Sequence, residues 1–119
     1  MTSRSTGPWR RAALNASAPR KAKACCPYYH EAVELVGKRW TGAIIAVLME
    51  DGPARFSEVG AAVPDLSDRL LSERMKELEA RGLVERRVQE GRTQYRLTPM
   101  GEELRPAVGA LRAWAQRWL

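Results

Sequence analysis

The sequence predicts a mainly helical α+β domain with a small β-hairpin, in the order α-α-α-α-β-β-α. Three observations predict it. Apolar residues recur at helical spacing through most of the chain beyond Cys25, whereas LVERRVQEGRTQYRL (83–97) changes to short strand-like runs around Glu90-Gly91. A length of 119 residues suits one core. With 45% apolar and 29% charged residues, the composition is that of an ordinary soluble globular protein.

The elements follow in order. Pro27 suits the first position of a helix, where its missing N–H would be unpaired anyway. PYYHEAVELVGKRW then sets Tyr29, Val33 and Val36 at i, i+4 and i+7, an amphipathic helix ending near Gly37. WTGAIIAVLM (40–49) is nearly all apolar and predicts a helix buried on most sides. Asp51-Gly52-Pro53 is a turn, RFSEVGAAV predicts a short helix from about Ser57, and Pro64-Asp65 turns the chain again. SDRLLSERMKELEARGLVERR (67–87) follows, opening on the good cap Ser67. After the hairpin, Thr98 caps and Pro99 begins a last helix running to Leu119. Pro106 inside it predicts a kink or a fresh start.

The helix after Ser67 divides into two faces. At about 100° per residue, Leu71, Met75 and Leu78 form a narrow core-facing stripe, and Arg69, Ser72, Glu73 and Lys76 lie opposite. Gly82 falls where a left-handed C′ residue is expected, and Leu83 turns back onto the core. Two helices joined by a tight turn, the second polar on its outer side, then a basic hairpin, form a winged helix-turn-helix. Such a face suits the major groove. The hairpin arginines Arg86, Arg87, Arg92 and Arg96 suit phosphates or the adjacent minor groove. Taken singly, an Arg/Glu/Lys face is more often merely solvated, and hairpins are commonly charged; the order of the parts is what points to DNA.

Charge is unevenly placed. Of 20 Lys and Arg, six (Arg4, Arg10, Arg11, Arg20, Lys21, Lys23) lie in residues 1–24, which hold no acid; the other 14 face 14 Asp and Glu. The whole excess of +6 is therefore in that segment. Without apolar periodicity it reads as a disordered basic tail on a domain spanning 25–119. It lacks the apolar core of a secretory signal, although an Arg- and Ser-rich, acid-free start also resembles an organelle transit peptide. No apolar run approaches the roughly 18 residues of a membrane span. Two adjacent cysteines make no disulfide framework, and a cytoplasmic location without membrane attachment is expected. Cys25, Cys26 and His30 offer no second ligand pair for zinc, so no metal is expected. No cofactor is expected either. With one histidine and no recognisable nucleophile–base set, an enzyme is not expected.

CPYYHEAVELVGKRW, Arg55-Phe56 with Glu58, the Leu-Ser opening of the reading helix, Glu79-x-x-Gly82-Leu83-Val84-x-Arg86, and Tyr95-x-Leu97-Thr98-x-x-Gly101 together resemble the HxlR-type (DUF24) branch of the MarR-related bacterial transcription regulators. The resemblance covers about residues 25–119. Gly37-Lys38-Arg39-Trp40 stands where that family usually has Gly-Gly-Lys-Trp, the hairpin QEGRTQ is shorter than the family's, and the basic tail is not a family feature. The resemblance implies a homodimer on near-palindromic double-stranded DNA, joined through the first and last helices. The candidate DNA-contacting residues are Ser57, Ser67, Arg69, Ser72, Glu73, Lys76, Arg87 and Arg92. In the last helix Leu104, Val108, Leu111, Ala115 and Trp118 recur at helical spacing, and with Tyr28, Tyr29 and Trp114 they form the candidate dimer seam. Such a stripe is more often plain core packing.

The resemblance also implies sensing of oxidants or electrophiles at Cys26. As N-cap of the first helix, near Lys21 and Lys23, it has the surroundings that favour a thiolate. A half-buried capping cysteine is the plainer alternative. Cys25 is a candidate resolving partner, across subunits rather than with its neighbour, because adjacent cysteines bond only under strain. Two other functions compete: a regulator switched by a small ligand between dimer helices, near Trp40, Trp114 and Tyr29, and a winged-helix protein-interaction module that never touches DNA.

Overall fold

The computed structural model describes residues 26–119. The expected disordered basic tail, its boundary with the domain, and Cys25 lie outside the described residues. The chain divides into two units, one ending at Arg39 and the other spanning Trp40–Leu119. In the first, α1 (Pro27–Val36) begins on its proline and ends at Gly37, whose N–H donates to the Val33 carbonyl at 2.8 Å, as the sequence predicts.

The second unit opens with α2 (Thr41–Asp51), capped by Trp40 at φ +74°. Thr41, Ile44, Ile45, Leu48 and Met49 are buried, whereas Gly42, Ala43 and Glu50 are exposed. Burial is thus one-sided rather than nearly all round. The outward positions carry glycine and alanine, whose exposure costs little apolar surface. α3 (Phe56–Ala62) starts one residue before the expected Ser57 and buries Val59. At its entry the Arg55 N–H donates to Glu58 Oε1 at 2.8 Å, and the Arg55 guanidinium reaches Oε2 at 3.4 Å. After a turn with Asp65 at φ +70°, the Ser67 hydroxyl accepts from the Leu70 N–H at 3.1 Å and starts α4 (Asp68–Ala80). This bond meets one of the otherwise unpaired first-turn donors and is worth about 1 kcal/mol. Leu71, Met75 and Leu78 are fully buried, each contributing roughly 1.5–3 kcal/mol by its removal from water. Leu71 packs beside Gly60 of α3, where even an added Cβ would stand at an ordinary contact distance of 3.5 Å from Leu71 Cδ2.

The end of α4 is a Schellman motif. Leu83 N–H donates to Leu78 O at 2.9 Å and Gly82 N–H to Glu79 O at 3.0 Å, with Gly82 at φ +82°. From there β1 (Val84–Gln89) pairs antiparallel with β2 (Arg92–Leu97), Val84 opposite Leu97 and Gln89 opposite Arg92. Glu90 (φ +54°) and Gly91 (φ +75°) make the two-residue turn, both at the positive φ that a type I′ turn requires. The outer edge of β2 is also used: Ala54 and Tyr95 exchange backbone hydrogen bonds of 3.0 and 2.8 Å. Phe56 tilts onto the Tyr95 ring at 6.5 Å.

Thr98 then closes the circuit. Its N–H donates to Leu83 O, its hydroxyl donates to Gly82 O at 2.6 Å, and the same oxygen accepts from Gly101 N–H at 3.1 Å. α5 (Pro99–Glu102) is one short turn, and α6 (Arg105–Trp118) begins anew, so the last helix is divided rather than continuous. Pro106 sits in the first turn of α6, where no N–H is needed: of the two outcomes expected for it, the fresh start is observed. Two arginines of α6 hold the end of α2, Arg105 donating to Met49 O at 3.4 Å and Arg112 to Glu50 at 3.0 Å.

Gly101 is the tightest point of this junction. A Cβ there would collide with the Leu83 carbonyl oxygen and lie 3.1 Å from Leu97 Cδ2. Gly101→Ala should therefore lower unfolding stability by about 1–3 kcal/mol, read by denaturant titration; an unchanged midpoint would show that the junction is slack.

Candidate nucleic-acid interface

Outward from its buried stripe, α4 presents Arg69, Glu73 and Lys76 to solvent and Ser72 half-buried. The Arg69 side chain is 90% exposed and lies 3.7 Å from Glu73 one turn on. Such a pair in water contributes little, so the guanidinium can exchange its carboxylate for another acceptor. Ser67 is committed to the cap, and Ser57 is exposed in the first turn of α3. The helix face therefore brings Arg69, Ser72, Glu73 and Lys76 together, with donors and acceptors interleaved rather than a purely positive strip. Hydrogen-bond donors and acceptors of this kind can match base edges, while the cations can match phosphates.

The hairpin is less openly basic than its sequence suggests. Arg86 is bonded to Glu79 of α4 at 2.8 Å, Arg96 donates from Nε to Glu85 at 2.7 Å, and Arg87 lies 3.5 Å from the same carboxylate. The Arg96 hydrogen bond, against some desolvation and with help from Arg87, holds the Glu85 carboxyl below the ordinary glutamate range. Glu58 is also lowered, first by its bond from the Arg55 backbone N–H, with Arg92 a lesser Coulombic influence. Of the four hairpin arginines, then, two are tied into the fold, Arg87 shares an acid, and Arg92 is exposed. The sequence conceals this because strand register decides which acid meets which arginine.

A second feature is hidden in the sequence. Arg74 is only 9% exposed, on the core side of α4 between Leu71 and Leu78, and 3.5 Å from Glu77. Its i+3 spacing from Leu71 carries the signal, but its charge argues for the surface. The long stem buries readily while the head keeps a polar partner.

In the first unit, Cys26 is the N-cap of α1, half-buried, and makes no side-chain capping bond to the helix. Tyr28 and Tyr29 are exposed on α1. In the second, Leu111, Trp114 and Trp118 are exposed on α6, whereas Leu104 and Val108 of the same stripe are half-buried. Arg117 stands 5.1 Å over the Trp118 ring. One groove of this unit is lined by Leu48, Pro53, Glu85, Arg96, Leu97 and Glu102; neither Trp40 nor Trp114 lines it. Among the described residues no helix is long and apolar enough to cross a membrane, and no group of acids, cysteines and histidine is placed to hold a metal.

Two helices at a tight turn, followed by a hairpin, define the winged helix-turn-helix class. Within it, the HxlR-like helix-turn-helix family matches residues 35–119. The chain is 44% identical over 97 residues to YvaP of Bacillus subtilis, an uncharacterized HTH-type transcriptional regulator, covering 79% of this chain and 89% of that one. It is similar in structure to the quinone-bound form of the B. subtilis regulator YodB, with 44% identity, 78% of this chain and 99% of that chain covered, and a TM-score of 0.70. The redox regulator HypR in its oxidized form matches at 30% identity, 76% and 95% coverage, and a TM-score of 0.68. This chain belongs to the HxlR-like helix-turn-helix family and is a transcriptional regulator of that type.

Because the folded state lowers the Glu85 carboxyl, its pairing supports the hairpin at neutral pH, above the unfolded-state value, and is lost as pH falls through the lowered midpoint. An NMR titration of the Glu85 side-chain carbon should give a midpoint below that of an ordinary glutamate, and Arg96→Gln should raise it; the same midpoint in both proteins would show that Arg96 is not the cause.

Proposed function

We propose that this protein is a homodimeric, sequence-specific DNA-binding regulator in which the outward face of α4 reads each half of a near-palindromic operator. The observation that carries this reading is the division of α4. One side is locked into the core by Leu71, Met75 and Leu78, and the other offers Arg69, Ser72, Glu73 and Lys76 directly after a tight turn. Ser57, Ser67, Arg87 and Arg92 are assigned to the flanking backbone. The exposed Leu111, Trp114 and Trp118 of α6, with Tyr28 and Tyr29 of α1, are assigned to the contact between subunits. Two buried indoles per subunit would supply much of the apolar area that a stable dimer needs.

The control element in this reading is Cys26, with Cys25 as a resolving thiol. The cap position of Cys26, just ahead of Pro27, sets it at the start of the helix assigned to the interface. Modification there would alter the spacing of two reading helices that must meet half-sites about one DNA turn apart. Supporting it, one relative is solved bound to a quinone and another is a redox regulator solved oxidized. The quinone-bound relative equally favours a second reading, in which a small ligand at the dimer contact is the signal.

In binding titrations on its own upstream region, Arg69→Ala should cost about 1–3 kcal/mol and flatten preference at one position per half-site, whereas Lys76→Ala or Arg92→Ala should weaken all sequences alike. Unchanged affinity in a triple Arg69→Ala, Ser72→Ala, Lys76→Ala variant would remove α4 from the reading role. Light scattering at micromolar concentration should give the mass of a dimer, and a monomer would contradict the interface. Oxidant or quinone should change operator affinity in the wild type but not in Cys26→Ser. A quinone response that survives Cys26→Ser would select the ligand reading.

A further inference from the structure

We infer that the basic segment of residues 1–24 is a DNA-backbone arm that supplies most of the sequence-independent part of this regulator's affinity, to which the folded domain, with a net charge of zero, adds only the contacts of Lys76 and Arg92. The inference rests on the DNA-binding reading above and adds a division of labour to it. Its starting point is how the domain spends its cations.

Residues 25–119 carry 14 Lys and Arg against 14 Asp and Glu, a net charge of zero. More decisive is where the acids sit. On the side presented to DNA in the proposed reading, Arg69 faces Glu73, Arg55 faces Glu58, Arg86 is bonded to Glu79, and Glu85 draws in both Arg87 and Arg96. Asp68, at the start of α4, adds another exposed carboxylate beside Arg69. Apart from exposed Lys76 and Arg92, the cations that a phosphate meets on this surface already have acids beside them. Such a surface can discriminate among base edges but has little net attraction for a polyanion. Non-specific binding to duplex DNA comes almost wholly from cations that displace condensed counterions.

The six cations of residues 1–24 have no acid among them. A dimer would carry two such segments, doubling these uncompensated charges. Their partner is identified by its chemistry: a dense, regularly spaced row of phosphates, the target the rest of the chain is shaped to meet. The arm therefore holds the protein on DNA of any sequence, and α4 chooses among sequences.

The test uses the full-length protein with all six residues neutralised (Arg4→Gln, Arg10→Gln, Arg11→Gln, Arg20→Gln, Lys21→Gln, Lys23→Gln). Affinity for a random-sequence duplex and for the upstream region is measured against potassium chloride concentration. Every phosphate that the variant no longer neutralises should flatten the slope of log K against log salt by about 0.9. The six substitutions together should flatten it by about 3–5 per chain and weaken random-duplex binding at least tenfold at about 0.1 M salt, while the ratio of upstream to random affinity is kept. An unchanged slope would overturn the inference. So would an unchanged slope accompanied by loss of binding to phosphatidylserine vesicles, which would assign the segment to membrane surfaces. A fall in the upstream-to-random ratio would also overturn it, by making the segment a reader. Failure of the wild type to bind either duplex would instead defeat the DNA-binding reading itself.

Discussion

The junction at Gly82–Leu83 fixes the geometry of everything downstream of α4. The backbone there serves three elements at once: Leu83 N–H and Gly82 N–H finish α4, the Leu83 carbonyl accepts from Thr98, and the Gly82 carbonyl accepts the Thr98 hydroxyl. Thr98 in turn caps α5 through Gly101. Helix end, both strand ends and the following helix thus share one set of hydrogen bonds. Only a residue comfortable at φ +82° can stand at position 82, and only glycine fits against Leu83 at position 101. The Arg86–Glu79 pair lies further out along the strand and continues the same connection between α4 and the hairpin.

From that junction follows the fixed attitude of α4 to the hairpin, and from the core stripe follows which side of α4 faces out. The chemistry of the outward side is then set by neighbours. Acids sit beside Arg69 of α4, one turn away, and beside Arg87 and Arg96 of the hairpin. Exposed pairs of this kind add little stability, but they offset much of the surface's positive charge while leaving its hydrogen-bonding groups in place. In the proposed reading a neutral reader and a strongly basic segment in one chain are complementary: one would distinguish sequences and the other would bind phosphates.

Much of the fold was legible because its boundaries rest on local chemistry. Pro27, Ser67 and Thr98 start helices where their backbone or hydroxyl groups dictate, Gly82 ends one, and Glu90-Gly91 turns the hairpin. The division of α4 into a buried and an outward side was legible from the spacing of Leu71, Met75 and Leu78. What was not legible depended on distant partners. One-sided burial of α2 reflects which neighbours cover it, and no window within an apolar run records that. Arg74 looks like a surface residue until the stripe around it is seen to be buried, and Arg86 and Arg96 look open until register brings Glu79 and Glu85 to them.

The central claim, that two copies of α4 read two major grooves, is tested most directly by guanine N7 methylation protection on the regulator's own upstream DNA. N7 lies in the major groove, so groove-bound side chains shield it while backbone contacts do not. Two protected clusters centred about 10–10.5 base pairs apart, or a whole multiple of that, are the predicted pattern. A bound complex that leaves every N7 reactive, or that protects a single isolated cluster, would contradict the account.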